Sequence, residues 1–245
     1  MSKTVLVIGG SKGIGQSIVE KFIQSGYKVG FSYNSTVPEY HKKYAADTVF
    51  TGPCDVRDEE QIKAFLKDFK EFSANQIDIF VYNSGITIDN LTVSTTTDDY
   101  DKVMDTNLRG AWIFLREVGH LMFFRRRGRM FFISSVSASR GGRGQLSYAA
   151  SKAGLEALVR VGAQEFSRVG VLVNGIAPGI IETDMTKNVM DYLKGNQKND
   201  ALFDRIAMRR VGQPLEVANL IHALSQDEIT YMTGQTIHID GGYML

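Results

Sequence analysis

The chain has 245 residues, of which 43% are hydrophobic, 22% are charged and only 4 are proline. This composition supplies enough apolar mass for one sizeable core and predicts a single domain over residues 1–245. The formal net charge of +1 creates no long-range field, so neither nucleic acid nor an anionic membrane is expected as a partner. One cysteine excludes an internal disulfide, and 4 scattered histidines without ligand spacing predict no metal site.

Two apolar stretches bear on where the protein works. The N-terminus leads directly into an apolar strand pattern, without the length or the cleavage site of a signal peptide. The most apolar later run, AWIFLREVGHLMFF (111–124), is interrupted by Arg116, Glu117 and His120 and is too short to span a bilayer. We therefore expect a cytoplasmic protein in which this run is a core helix.

Short apolar runs alternate with longer helical patterns along the chain. The runs are TVLVI (4–8), KVGFSY (28–33), DTVF (47–50), DIFVY (78–82), RMFFIS (129–134), VLVN (171–174) and QTIHI (235–239). This alternation is typical of parallel strands joined by crossover helices, and runs that are apolar on both faces indicate helices on each side of the sheet. The sequence predicts an α/β Rossmann fold with a doubly wound, mostly parallel seven-stranded sheet. The polar stretch from about 180 to 212 is either a mobile substrate lid or an ordinary pair of surface helices.

A glycine-rich loop follows the first predicted strand. GGSKGIG (9–15) leads into the amphipathic run IGQSIVEKFIQSG, so strand, loop and helix come in the order found at nucleotide sites. Glycine allows a tight turn and lets backbone N–H groups approach a pyrophosphate, and a helix N-terminus adds favourable dipole charge. The spacing differs from G-x-G-x-x-G, and no G-K-[ST] follows. The loop therefore predicts a variant dinucleotide site rather than a nucleoside-triphosphate site.

The stretch SYAASK (147–152) sets Tyr148 and Lys152 four residues apart at the start of a predicted helix. On a helix, this spacing puts the ammonium one turn from the phenol on the same face. From these residues alone the two side chains are either a catalytic pair or an ordinary surface pair, with Ser147 as a helix cap.

Motifs spread over nearly the whole chain resemble those of the short-chain dehydrogenase/reductase family. They are GGSKGIG (9–15), YNSG (82–85), TNLRG (106–110), ISS (133–135), SYAASK (147–152), APG (177–179) and the C-terminal TGQTIHIDGGYML. Within the family, the motifs are most similar to those of the bacterial 3-oxoacyl-[acyl-carrier-protein] reductases. Relatives that act on polyketide or polyene carrier-bound chains look equally similar.

The resemblance implies a role for each residue of a catalytic tetrad. Tyr148 would be the general acid that protonates a carbonyl oxygen as hydride arrives from a nicotinamide, and Lys152 would lower the phenol pKa from its usual value of about 10. Ser135 would hydrogen-bond the substrate oxygen, and Asn107 would hold a water that relays protons toward Lys152. Taken singly, Ser135 and Asn107 could equally be turn residues.

The resemblance also implies a dinucleotide cofactor, with contacts at Gly9, Ser11, Lys12, Gly13, Ile14, Gly15, Tyr33, Asn34, Asp55, Val56, Asn83, Gly85, Tyr148, Lys152, Pro178, Gly179, Ile181 and Thr183. An NAD enzyme normally ends its second strand with an acid, but Tyr33 and Asn34 stand there in this chain. Lys12 takes the place of a basic residue in NADP-using relatives and would pair with the 2′-phosphate. We therefore expect NADPH. Asp55 either contacts the adenine or is a turn aspartate in CDVRD.

Three residues depart from the family pattern. Ile8 stands where a threonine commonly precedes the first glycine, and Tyr82 and Ser84 of YNSG replace the usual Asn and Ala. Asn83 and Gly85 of the same motif are kept, so cofactor binding is expected to survive. The bulky Tyr82 either contacts the cofactor or is an inward strand residue that does not.

The activity implied by the resemblance is NADPH-dependent reduction of the 3-keto group of a carrier-protein-bound acyl thioester to a 3-hydroxyacyl thioester, in fatty-acid or polyketide/polyene biosynthesis. A soluble alcohol, sugar or steroid dehydrogenase working oxidatively is the first alternative. A nucleotide-sensing protein on the same fold that has lost its chemistry is the second.

The resemblance further implies two kinds of protein partner. One is a second copy of the chain, in a homotetramer built partly on the helices around 100–125 and 149–168. The other is an acidic acyl carrier protein, for which the candidate docking residues are the basic Arg125, Arg126, Arg127 and Arg168. The second position expected from the family falls on Val169. These cations could instead serve only the dipole at a helix C-terminus.

Overall fold

The computed structural model describes residues 2–35, 37–186 and 203–245. The strands of the structure are β1 (Thr4–Ile8), β2 (Lys28–Tyr33), β3 (Val49–Pro53), β4 (Ile79–Tyr82), β5 (Gly128–Ile133), β6 (Val171–Pro178) and β7 (Thr236–Ile239). They form one sheet in the order β3-β2-β1-β4-β5-β6-β7, and each neighbouring pair is parallel. The predicted seven-stranded Rossmann sheet is confirmed, although β3 and β6 run 3 and 4 residues beyond their predicted ends.

Helices cover both faces of this sheet, as predicted. Among the described residues they are α1 (Gly13–Gln24), α2 (Glu59–Phe72), α3 (Thr97–Met104), α4 (Gly110–Arg125), α5 (Leu146–Phe166) and α6 (Pro214–Leu224). Alternate strand residues face opposite sides, so Phe132 packs among α2, α4 and α5 whereas its neighbour Phe131 packs toward α1 and α6. Apolar residues on both faces of each central strand therefore build two cores.

The strand order reverses between β1 and β4. In open parallel sheets, ligands bind in the crevice beyond the carboxyl ends of the strands at such a switch point. The glycine loop follows β1, YNSG ends β4, ISS ends β5 and APG ends β6. Topology thus brings the chemistry-bearing motifs to one edge of the sheet.

The apolar run over 111–124 lies in α4, where Ile113, Phe114 and Val118 are fully buried, as expected of a core helix. No helix within the described ranges is long and apolar enough to cross a membrane. In the same part of the chain, no three acidic, histidine or cysteine side chains gather as metal ligands.

The predicted lid over 180–212 lies partly outside the described residues, because 187–202 are not among them. On one side of that gap, Asp184–Thr186 form a short 3-10 turn. On the other side, Gly212 forms an isolated parallel bridge with Ile181. Whether the intervening segment acts as a lid stays a prediction.

Candidate active site

A cleft of about 460 Å³ opens at the carboxyl edge of the sheet, a size suited to a small-molecule site. Ser135 and all the cofactor residues predicted from the sequence, except Gly15, line this cleft. Gly15 and Asn107 are buried residues that do not line it. Wall residues that sequence reasoning missed are Ser32, Cys54, Arg57, Ser84, Ile86, Lys102, Thr106, Ile133, Ser134, Asp184, Met185 and Thr186.

The glycine loop is compact because other parts of the chain approach its backbone closely. Gly9 has a φ of +80°, and a Cβ added there would lie 2.6 Å from Ser84 Oγ. A Cβ at Gly15 would lie 2.0 Å from the Gly9 carbonyl oxygen, which also accepts a hydrogen bond of 2.8 Å from Asn83 Nδ2. Larger residues at either glycine would push the loop out of place.

The loop also presents a helix N-terminus to the cleft. Lys12 is the N-cap of α1, and its side chain makes no capping hydrogen bond. The first amides of α1 are therefore free of a side-chain cap, which is the arrangement that binds phosphate. Behind the loop, the Tyr40 hydroxyl donates a 2.6 Å hydrogen bond to the Gly10 carbonyl, and its ring stacks on Phe31.

No carboxylate stands at the end of β2, where Tyr33 and Asn34 line the cleft. An acid of the wall, Asp55, is paired with Arg57, with 2.6 Å between Oδ2 and Nη2. Hydrogen bonds from Arg57 lower the pKa of the Asp55 carboxyl. Its negative charge is thus balanced locally. Because Asp55 both forms this turn and lines the cleft, its two interpretations are compatible.

Tyr148 and Lys152 stand on one face of α5, as their spacing predicts. The Lys152 ammonium lies 5.6 Å from the centre of the Tyr148 ring and donates a 2.7 Å hydrogen bond to the Ile133 carbonyl. A Cβ added at Gly85 would lie 3.2 Å from Lys152 Nζ and 3.4 Å from Asn107 Oδ1, so a larger residue would crowd these side chains. The side chain of Lys152 is almost fully buried.

The net pKa shift of Tyr148 is upward, against the lowering expected from Lys152, because burial is the largest contribution. Burial raises the pKa of Tyr148, the Asp89 carboxylate adds to this, and a hydrogen bond with Ser135 offsets only part of it. Burial also lowers the pKa of Lys152 to about 8. Desolvation penalises both the phenolate and the ammonium. The phenol therefore keeps its proton at neutral pH.

The Asn107 side chain is hydrogen-bonded to other groups of the protein. Its Oδ1 accepts from the Ile86 amide at 2.8 Å, and its Nδ2 donates to the Ile86 carbonyl at 2.9 Å and to Ser151 Oγ at 3.0 Å. Both of its N–H donors are thus used. Ser151 Oγ in turn donates to the Tyr148 carbonyl at 2.7 Å, which connects Asn107 to the helix that carries the pair.

Tyr82 is an inward strand residue, which decides between the two alternatives for this departure. Its side chain is 1% exposed, and Tyr82 does not line the cleft, whereas Asn83, Ser84 and Gly85 do. The Tyr82 hydroxyl donates to the Thr106 carbonyl.

Comparisons with known proteins agree with this architecture. Residues 9–244 match the family model described as Enoyl-(Acyl carrier protein) reductase. The chain is 36% identical over 249 residues to the 3-oxoacyl-[acyl-carrier-protein] reductase FabG of Staphylococcus aureus (strain Mu50), covering 99% of this chain and 98% of that protein. It is 36% identical over 246 residues to the protein of the same name from Vibrio cholerae serotype O1, with the same coverage.

Among solved structures, the chain is similar to one described as ElxO with NADP bound. The TM-score is 0.89 at 28% sequence identity, covering 100% of this chain and 99% of the other. Sheet topology, cleft position and sequence relatives agree over nearly the full length of the chain. The chain therefore belongs to the short-chain dehydrogenase/reductase family.

Proposed function

We propose that this protein is an NADPH-dependent oxidoreductase that reduces the 3-keto group of an acyl thioester borne by an acyl carrier protein, in fatty-acid or polyketide/polyene biosynthesis. One observation carries the proposal: Tyr148, Ser135 and Lys152 line the same cleft as the glycine loop. The FabG relatives, which are named 3-oxoacyl-[acyl-carrier-protein] reductases, support the reaction class and the carrier.

The proposed chemistry follows from the side chains that meet in the cleft. Tyr148 and Ser135 hydrogen-bond to each other, so a ketone oxygen that replaces this contact accepts from both hydroxyls. NADPH, when bound, supplies the hydride to the carbonyl carbon. Tyr148 gives its phenolic proton to the oxygen, which becomes the 3-hydroxyl, and the Lys152 ammonium stabilises the phenolate that is left.

The residues of the cleft suit a dinucleotide with a 2′-phosphate. The glycine loop leaves backbone space and free helix amides for a pyrophosphate. Lys12 adds positive charge to the wall, and no carboxylate stands at the end of β2 to repel the phosphate. The similarity to a structure described as NADP-bound supports the same cofactor.

Tyr33→Asp is expected to shift cofactor preference from NADPH toward NADH. A carboxylate beside the 2′-phosphate adds repulsion of about 1 kcal/mol per charge pair at 4 Å even in water, so the ratio of Kd values should change on the order of tenfold or more. Fluorescence titration of both cofactors measures this ratio. Tyr33→Asn is the control, since it removes the ring without adding charge. An unchanged ratio in the Asp variant would contradict the placement of the 2′-phosphate.

For the carrier protein, we propose docking on the arginines that follow α4 and α5. Arg126 is exposed, with a left-handed φ of 53° at the C-cap of α4. Arg125 and Arg127 also form ion pairs within the fold, with nitrogens 3.6 and 4.0 Å from Asp78 Oδ1. The turn that contains Arg168 is adjacent, because a Cβ at Gly170 would lie 2.9 Å from the Arg126 carbonyl oxygen.

These arginines precede β5 and β6, so they lie at the edge of the sheet opposite to the cleft. A strand of 6 residues such as β5 spans about 20 Å. We therefore propose that a carrier docked on one chain serves the cleft of a neighbouring chain in the homotetramer. An open apolar groove between α4 and α5, with Trp112 and Val161 about half exposed, supports association of copies at these helices.

Arg126→Glu is expected to lower kcat/KM for a carrier-bound β-ketoacyl chain on the order of tenfold at low salt, because complementary charge accelerates encounter. Activity on a small acetoacetyl thioester should be spared. Raising salt in the wild type should reproduce the defect. Arg126→Gln serves as the uncharged control. Equal losses on both substrates, or no loss on either, would show that Arg126 does not dock the carrier.

Mixed oligomers test whether docking serves a neighbouring chain. An Arg126→Glu chain keeps its cleft and a Tyr148→Phe chain keeps its arginines, so oligomers formed by co-expression should recover activity on the carrier-bound substrate. Recovery no greater than the sum of the two separate variants would contradict docking between chains. Light scattering at micromolar concentration must show an oligomer for the proposal to stand.

The substrate class is tested by following NADPH consumption with β-ketoacyl thioesters, free ketones and enoyl thioesters. The proposal expects turnover chiefly with β-ketoacyl thioesters. Preference for free ketones or alcohols would instead support the dehydrogenase alternative. NADPH binding without consumption of any substrate would support the nucleotide-sensing alternative.

A further inference from the structure

A buried tyrosine lies directly beneath the turn that carries Asn107. The Tyr82 ring packs against Phe114 and Phe132, with ring centres 5.9 and 6.3 Å away, so both rings restrict its position. Its hydroxyl donates to the carbonyl of Thr106, a residue that lines the cleft. Burial raises the pKa of Tyr82 well above its usual value, so the hydroxyl stays a donor at all working pH values.

The Thr106 carbonyl needs this donor because of the local helix geometry. Asp105–Arg109 form a π turn between α3 and α4. In an α-helix, the Gly110 amide would donate to the carbonyl four residues earlier, which is that of Thr106. Here the Gly110 amide donates to the Asp105 carbonyl instead. The Tyr82 hydroxyl thus replaces the donor that the π turn takes away.

Gly110 makes this replacement possible. A Cβ added at Gly110 would lie only 2.6 Å from the Tyr82 hydroxyl and 2.7 Å from the Val56 carbonyl oxygen. Any larger residue would compete with the phenol for the same space. Tyr82, a departure from the family pattern, can therefore reach the π turn because residue 110, just after the turn, is glycine.

The π turn connects Tyr82 to the proposed catalytic pair. Asn107 lies in this turn. Its side chain hydrogen-bonds to the amide and the carbonyl of Ile86 and to Ser151 on α5. Ser151 bonds the Tyr148 carbonyl, and Lys152 is its immediate neighbour. A shift of the π turn would move Asn107 and loosen the contact between the turn and α5.

We propose that Tyr82 is a positioning residue for the reductase: its hydroxyl holds the π turn in the geometry that presents Asn107 to the Tyr148–Lys152 pair. This inference rests on the proposed function, because it assigns Tyr82 to the same site. It adds a residue outside the tetrad that acts through the Thr106 carbonyl and touches neither substrate nor cofactor.

Tyr82→Phe tests the inference by removing only the hydroxyl. We expect kcat with NADPH and an acetoacetyl thioester to fall about tenfold, the effect of leaving one buried acceptor unpaired next to the site. The Kd for NADPH, measured by fluorescence without substrate, should stay unchanged. Amide hydrogen exchange over 105–110 should become faster, because the turn loses its donor.

Tyr27→Phe is the matched control, since it deletes a hydroxyl from a ring that packs on Phe22 and His222 away from the cleft. It should change none of the three readouts. An unchanged kcat in Tyr82→Phe would overturn the inference, as would a fall in kcat accompanied by equal losses of NADPH affinity and thermal stability. If the wild type shows no ketoreduction, the proposed function fails, and unchanged exchange over 105–110 would then separately overturn the role of Tyr82.

Discussion

Tyr148→Phe is expected to lower kcat by about 10²- to 10⁴-fold, the range usually contributed by a positioned general acid. The variant keeps the ring beside Lys152 and loses only the proton that the ketone oxygen requires. Because burial keeps the pKa of Tyr148 above its usual value, the wild-type phenol is protonated and ready to donate at neutral pH. The glycine loop does not depend on this hydroxyl, so the Kd for NADPH should stay close to the wild-type value.

Steady-state rates with an acetoacetyl thioester and fluorescence titration of NADPH measure the two quantities separately. Tyr27→Phe again controls for the loss of a hydroxyl elsewhere. Turnover near the wild-type level in Tyr148→Phe would show that another group protonates the substrate.

Lys152→Ala is expected to lower kcat by a similar factor and also to weaken NADPH binding. The ammonium supports the phenolate formed in the reaction, and the family resemblance implies that this lysine also bonds the nicotinamide ribose. Lys152→Met, which keeps most of the side-chain volume, should show the same losses without a large cavity. Retained activity with a wild-type pH profile would contradict this double role.

Replacing Lys152 is expected to spare the free energy of unfolding, in contrast to its effect on activity. Burial lowers the pKa of Lys152 to about 8 from the value near 10.4 of an unfolded chain. Between these pH values the unfolded chain binds more protons, so the free energy of unfolding rises with pH across this window, and the full cost of the buried ammonium is present below it. At pH 7, removing this buried ammonium in Lys152→Met should offset the hydrogen bond lost at the Ile133 carbonyl, so the variant should unfold no more easily than the wild type. Chemical denaturation at that pH measures this, and a clear loss of stability would contradict it.

The parts of the fold that the sequence predicts are those set by local patterning. β1 and β2 form at their predicted bounds because each is a short run rich in β-branched or aromatic residues that is followed by turn residues. The glycine loop was predictable from the spacing of its glycines after a strand pattern, whereas its close contacts with Ser84 and Asn83 come from a distant segment and appear only in the structure.

Features that arise from contacts between distant segments were not predictable. The Tyr82 hydroxyl meets a carbonyl 24 positions along the chain, and only the π turn explains why that carbonyl needs a donor. The pKa directions of Tyr148 and Lys152 depend on burial, which spacing on a helix does not reveal. The sequence also indicated that Arg125, Arg126 and Arg127 lie near the end of a helix. It did not show that this end of the helix lies opposite the cleft.

Transfer of deuterium from NADPH labelled at the reactive C4 position tests the central claim most directly. The protein is incubated with this cofactor and a carrier-bound 3-oxoacyl chain, and the product is analysed by mass spectrometry. We predict a 3-hydroxyacyl product with one deuterium on the carbon that bears the new hydroxyl, and no product from Tyr148→Phe in the same time. An unlabelled product, or label found only after reduction of an enoyl thioester while the 3-oxo chain is left intact, would contradict the claim.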